Sequence, residues 1–142
     1  MRALLDVNVL IALHDCDHVH HLRAAQWLDA HSQHGWASTP MTQNGCLRVM
    51  SQTAYSNPQP LSVLFQMLQR STTSPWHQLW ADDLSMLDTA VFQHTHVHSP
   101  KQLTDVYLLG LAVKNQGCLV SFDQRIPLSS VHRARSEHLI VL

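Results

Sequence analysis

Ala3-Leu4-Leu5-Asp6-Val7-Asn8-Val9-Leu10-Ile11-Ala12-Leu13 opens with three apolar residues, a carboxylate and then a second apolar run. A short, continuous apolar segment that stops at an Asp reads as a strand buried on both faces, the habit of parallel sheets. Asp6 then marks a tight turn, and Val7 to Leu13 continues as a short helix ending in a loop at His14, Asp15 and Asp17. The same phrase recurs far along the chain. Gly117 ends a helix, and Cys118-Leu119-Val120-Ser121-Phe122 is a strand that stops at Asp123.

The segments between these two phrases alternate in the same way. Residues 18–31 carry Leu22, Ala25, Trp27 and Leu28 near helical spacing, which predicts an amphipathic helix broken at Gly35. Trp36-Ala37-Ser38 is a short strand. Thr39-Pro40 then starts a helix over 40–53, with Thr capping the free amides and Pro at the first helical position. A loop at 56–60 leads to a helix over 61–69 and a weakly marked strand near 76–80. Asp82-Asp83 introduces a further predicted helix through Phe92, and 94–102 is a polar connection. Thr104 is the expected N-cap of the most apolar helix, 105–115, and Leu139 to Leu142 is a last short strand. Strands alternating with helices predict an α/β three-layer sandwich around a mostly parallel sheet of four to five short strands. No repeat or linker divides residues 1–142, so one domain is expected.

Composition narrows the function. The formal net charge is −1, which excludes a polycation clinging to nucleic acid along its whole surface. Any RNA contact must come from local cations: Arg125, Arg133 and Arg135 near the C-terminus, with Arg48 and Lys101 elsewhere. Apolar residues make up 45% and charged ones only 13%, about half the roughly 25% usual for soluble domains. So thinly charged a surface favours burial against a partner, a homodimer or a complex. Cys16, Cys46 and Cys118 are odd in number and form no CxxC pair, which suits a reducing cytosol. No signal peptide or membrane span is visible, and a cytoplasmic protein is expected.

The acids are few: nine Asp and one Glu, Glu137. Asp6 and Asp123 each follow an apolar strand, and Asp105 opens the most apolar helix. Each alone could be a turn or helix-start residue. Together they would gather at the carboxyl edge of a parallel sheet, where ligand sites of such folds lie. Three unpaired carboxylates in one place repel, and the arrangement persists when a cation neutralises it or some acids stay protonated. Oxygen donors suit Mg²⁺ or Mn²⁺, which would activate water toward a phosphodiester. Asp105 also gains from the positive helix end.

Four blocks carry a resemblance: Leu4-Leu5-Asp6-Val7-Asn8-Val9-Leu10, Thr42-Gln43-Asn44-Gly45-Cys46-Leu47-Arg48, Thr104-Asp105-Val106-Tyr107-Leu108-Leu109-Gly110-Leu111-Ala112 and Leu119-Val120-Ser121-Phe122-Asp123. In this order and over nearly the whole chain, they resemble PIN domains, most closely the VapC-type toxins of bacterial toxin–antitoxin pairs. The resemblance implies a Mg²⁺- or Mn²⁺-dependent endoribonuclease, usually dimeric, neutralised by an antitoxin whose C-terminal segment covers the active site. A transfer RNA is a plausible target on the resemblance alone. It makes Asp6, Asp105 and Asp123 the metal-site acids. In the second block most such proteins place a Glu where this chain has Gln43, which offers an amide oxygen and no charge. That substitution weakens the expected metal affinity, leaves open one ion or two, and keeps alive a catalytically silent PIN-like module that binds RNA or protein. A phosphatase of the haloacid dehalogenase type would need a second Asp where Asn8 stands. Asn8 could orient Asp6 or a water, Thr104 could add a hydroxyl behind the acids, and Arg48 could meet phosphate or a carboxylate. The His18, His20, His21 and His94, His96, His98 groups read as solvated loop histidines rather than a zinc site.

Overall fold

The computed structural model describes all 142 residues. Its sheet is built from β1 (Ala3–Leu5), β2 (Trp36–Ser38), β3 (His77–Leu79), β4 (Cys118–Ser121) and β5 (Leu139–Val141). All pairings are parallel, in the order β3-β2-β1-β4-β5. The helices are α1 (Val7–His14), α2 (His21–His31), α3 (Pro40–Met50), α4 (Leu61–Thr72) and α5 (Leu103–Lys114). The predicted three-layer arrangement is thus present, with five strands, every one of them parallel.

Strand alternation divides the core in two. Ala3, Leu5, Cys118 and Val120 point to one face, where Val9, Leu10, Ala24, Cys46, Met50 and Leu64 from α1 to α4 pack on them. Leu4, Ala37 and Leu119 point to the other, against Val106, Leu108, Leu109 and Ala112 of α5, with Trp80 and Phe92. Because both faces are covered at the centre of the sheet, β1 is apolar at every position and β4 at all but Ser121, which is why three residues sufficed to mark β1.

Local signals explain most boundaries. Thr39 caps α3 by accepting from the Thr42 amide at 3.2 Å, while the Thr42 hydroxyl oxygen accepts from the Thr39 amide at 2.9 Å. Gly35, at φ 73°, takes the left-handed conformation that turns the chain from α2 into β2. Two expectations fail. The stretch 82–92 is not a helix, because its polar side chains bind backbone amides locally or elsewhere. Asp82 Oδ2 accepts from Met41 N at 2.8 Å, Ser85 Oγ from Leu87 N, and Asp88 Oδ1 from Ala90 N. Nor is Thr104 the cap of α5. Ser99 and Pro100 begin a 3₁₀ turn that feeds the helix, so α5 starts at Leu103 behind Gln102 and leaves Thr104 exposed in its first turn.

Helix α3 lies unusually close to α1. A Cβ placed on Gly45 would stand 2.7 Å from Val7 Cγ2. Gly45→Ala removes a helix-interior glycine, a gain of up to about 1 kcal/mol, but overpacking costs about 1–3 kcal/mol. The clash outweighs the propensity. Thermal denaturation should show Gly45→Ala melting several degrees below the parent, with Val7→Ala in the same chain restoring part of the loss. An unchanged or higher Tm would contradict the close contact.

Candidate active site

With every strand parallel, Leu5, Ser38, Leu79, Ser121 and Val141 end at one edge of the sheet. The chain moves outward from β1 to β3 on one side, then returns to place β4 and β5 on the other. The β1–β4 seam is therefore the topological switch point, where side chains from successive turns open a crevice. Asp6 follows β1 and Asp123 lies just beyond β4. Helix α5 packs on β4 and β1 and turns directly into β4, so it runs against the strands and brings its first turn, with Asp105, to the same edge.

One hydroxyl organises the seam. Ser121 Oγ donates to Asp6 Oδ2 at 2.6 Å and accepts from Asn8 Nδ2 at 3.2 Å and Asp123 N at 3.0 Å. Asn8 Oδ1 accepts from Phe122 N at 3.3 Å, so Asn8 clamps the end of β4 and reaches Asp6 only through Ser121. Asp6 is 3% exposed, and its Oδ1 caps α1 by accepting from Val7 N at 2.7 Å. Ser121 was not singled out in the sequence. The signal it offered was a hydroxyl inside an apolar run, one residue pair before an acid.

The three acids feel one another. Burial raises the Asp6 carboxyl above its ordinary value, the bonds from Ser121 and Val7 oppose that shift, and Asp123 adds to it. Asp105 is pushed up to about 7, chiefly by burial and further by Asp6 and Asp123. Asp123 Oδ1 accepts from the Arg125 amide at 2.8 Å and faces Arg125 Nε at 3.6 Å, a loose pair whose arginine side chain is 86% exposed. The acids share an edge without forming a closed cage: no three His, Cys, Asp or Glu side chains stand close enough to hold an ion as they are placed. The donor chemistry nevertheless fits a hard divalent cation. All three are oxygen donors, and their mutual repulsion is what such an ion would relieve.

Gln43 sits in the first turns of α3, at the end of β2 beside β1. Its Nε2 donates to Ser38 Oγ at 2.9 Å, and Ser38 Oγ lies 2.8 Å from His77 Nε2. His77 packs against Trp36 and has its pKa lowered by burial, with the Thr72 carbonyl opposing and Arg2 reinforcing that shift. With Nε2 on Ser38, Nδ1 is left for the Thr72 carbonyl. Nε2 then accepts from the Ser38 hydroxyl, Ser38 accepts from Gln43 Nε2, and Gln43 Oε1 is left free for the edge. Arg48 is not part of this group. It is exposed and, five residues along α3, is turned roughly 140° from Gln43. Thr104 makes no side-chain hydrogen bond. Of the histidines, His20 stacks on Phe122 at 4.6 Å between ring centroids, while His94 sits in an exposed turn, 2.6 Å from the Met86 carbonyl.

A parallel α/β sheet rimmed with acids at its switch point defines a domain of the PIN class. No protein-family model matches the chain. It is, however, 48% identical over its whole length to the whole of "Ribonuclease VapC44" of Mycobacterium tuberculosis. "Ribonuclease VapC39" of the same organism is 36% identical over 124 residues, 87% of this chain and 89% of the relative. In fold, the chain matches a protein in the crystal structure of VapBC2 from Rickettsia felis bound to a DNA fragment from their promoter, with a TM-score of 0.63. That match covers 100% of this chain and 98% of the other at 13% identity. The chain belongs to the VapC ribonuclease family.

The elevated Asp105 carboxyl makes stability depend on pH. It titrates at about 7 in the folded chain and near 3.9 in an unfolded one. Between those values the folded state binds more protons, so its stability falls as pH rises through the window. In EDTA, Asp105→Asn is free of that loss and should melt above the parent at about pH 8, the gap closing as pH falls toward 4. Scanning fluorimetry across this range reads it. A gap that ignores pH would refute the raised Asp105 carboxyl.

Proposed function

We propose that this chain is an endoribonuclease acting as the toxin of a VapBC-type pair, hydrolysing RNA phosphodiesters at the acidic edge. The observation that carries the reading is the assembly of Asp6, Asp105 and Asp123 at the β1–β4 switch point, with Asp105 driven to about 7 by burial and by its two neighbours. Family membership supplies the substrate class, since the relatives are named ribonucleases. A transfer RNA is the target class the resemblance suggests.

Asp6, Asp105 and Asp123 would hold Mg²⁺ or Mn²⁺, with Gln43 Oε1 offering a neutral oxygen beside them. The chemistry such an ion supplies when bound is activation of water and stabilisation of the departing 3′ oxygen. The chain's own groups do the rest. Ser121 keeps Asp6 aimed at the edge, Asn8 keeps the end of β4 from shifting, and Arg125 offers an exposed guanidinium for a phosphate.

The partners follow from the surface. Leu61 and Phe65, one turn apart on α4, are 47% and 49% exposed, an apolar pair that a second copy of the chain would cover. An antitoxin segment would cover the acidic edge. No helix is long and apolar enough to cross a membrane, and a toxin that acts on RNA would work in the cytoplasm.

A fluorogenic RNA assay with Mg²⁺ or Mn²⁺ tests the chemistry. Asp6→Asn, Asp105→Asn and EDTA should each lower the rate at least about 100-fold, and Ser121→Ala about 10- to 100-fold through misplacement of Asp6. Rates equal to the parent's in the Asp variants would leave only a silent binding module. Light scattering at micromolar concentration should give a dimer mass, and a monomer would contradict the α4 interface.

A further inference from the structure

Phe122 stands between Ser121 and Asp123, in the segment that carries the acidic edge, yet it is only half-buried. Its amide is held by Asn8 Oδ1, and its ring stacks on His20 at 4.6 Å with 26° between the planes. His20 in turn stands 5.7 Å from His18, tilted by 47°. Phe122 also joins Asn8, Asp123, Gln124 and Arg125 around an open hollow of about 400 Å³. The Gln124 amide is exposed, and Arg125 meets Asp123 only through Nε, so its two Nη groups have no protein partner.

The ring packs in part against the core on the α1–α4 face and leaves the rest of its surface open to the hollow. Here an apolar face, a free amide and a free guanidinium open together beside a candidate catalytic acid. We propose that this hollow seats one unpaired nucleotide of the RNA: its base lies on the Phe122 ring, which His20 backs, and its phosphate meets Arg125. The proposal rests on the ribonuclease reading and extends it by naming how the substrate is gripped. The base must be unpaired, because the faces of a paired base are covered within its own helix, whereas bases splayed from loops stack readily on aromatic side chains. Gln124 can reach the edge of such a base, so a preference among bases would arise there.

The test is fluorescence anisotropy with Asp105→Asn protein and two single-stranded probes of about 12 nucleotides, a length within the usual 4–16 nucleotide footprint. One is oligouridylate; the other is an abasic ribose-phosphate chain of the same length and charge. One stacked base should make the first bind roughly 5- to 150-fold more tightly. Phe122→Leu, which keeps an apolar side chain, should erase most of that preference, Phe122→Tyr should retain it, and His20→Ala should reduce it. Arg125→Gln should weaken both probes alike and lower the salt slope by about one phosphate contact.

Equal binding of the two probes, or a preference untouched by Phe122→Leu in a variant that melts normally, overturns the subsite. In that case the hollow fits a protein segment better than a base. The cleavage assay on the parent chain reports separately. Base-dependent binding through Phe122 without cleavage would fail the ribonuclease reading and leave the subsite standing, and cleavage without base preference would do the reverse.

Discussion

The Ser121 hydroxyl has one proton and two lone pairs, and the seam between β1 and β4 uses all three. It gives its proton to Asp6 and accepts from the Asn8 amide and the Asp123 backbone. Everything at the acidic edge depends on that arrangement. Two strands distant in sequence end side by side, and each is followed by an acid. Without a donor between them the carboxylates would turn outward into solvent. With it, Asp6 is fixed in a buried position. Asp105, whose carboxyl accepts no hydrogen bond, has its pKa raised chiefly by burial and further by Asp6 and Asp123.

Gln43 changes the charge of the edge without abandoning its geometry. Its amide is oriented through Ser38 and His77, so Oε1 is left without a hydrogen bond from the protein. A fourth carboxylate there would add to the same repulsion. Three acids and an amide are easier to hold in the absence of a cation, and correspondingly weaker in attracting one. The Gly45–Val7 contact keeps α3 against α1 and so sets the width of the edge, since Gln43 and Asp6 each lie within two residues of it.

Much of this was legible in the residues. Apolar triplets ending in Asp marked β1 and, with Phe122, β4. Thr39-Pro40 marked the start of α3, and Asp6, Asp105 and Asp123 stood where a parallel sheet collects ligands. The failures have a common cause. Ser and Asp side chains bind whichever backbone amides lie nearest in space, and a linear reading assigns them to the nearest in sequence. Asp82 therefore looked like the start of its own helix but serves the amino end of α3, forty residues earlier in the chain. Ser121 read only as a strand residue, which it is, and it also holds the Asp6 carboxylate and the Asp123 amide. Thr104 looked like a cap and yields to Ser99 and Pro100. His20 read as a solvated loop histidine, and only the fold brings it to Phe122.

The sheet closes with β3 and β5 as its borders, each three residues long. So few free main-chain N–H and C=O groups make a poor template for recruiting another strand. Extension of one sheet into another is therefore disfavoured. A contact between two copies would be written in side chains, and an interface of that kind can be redrawn by surface substitutions without disturbing the strands that carry the acids.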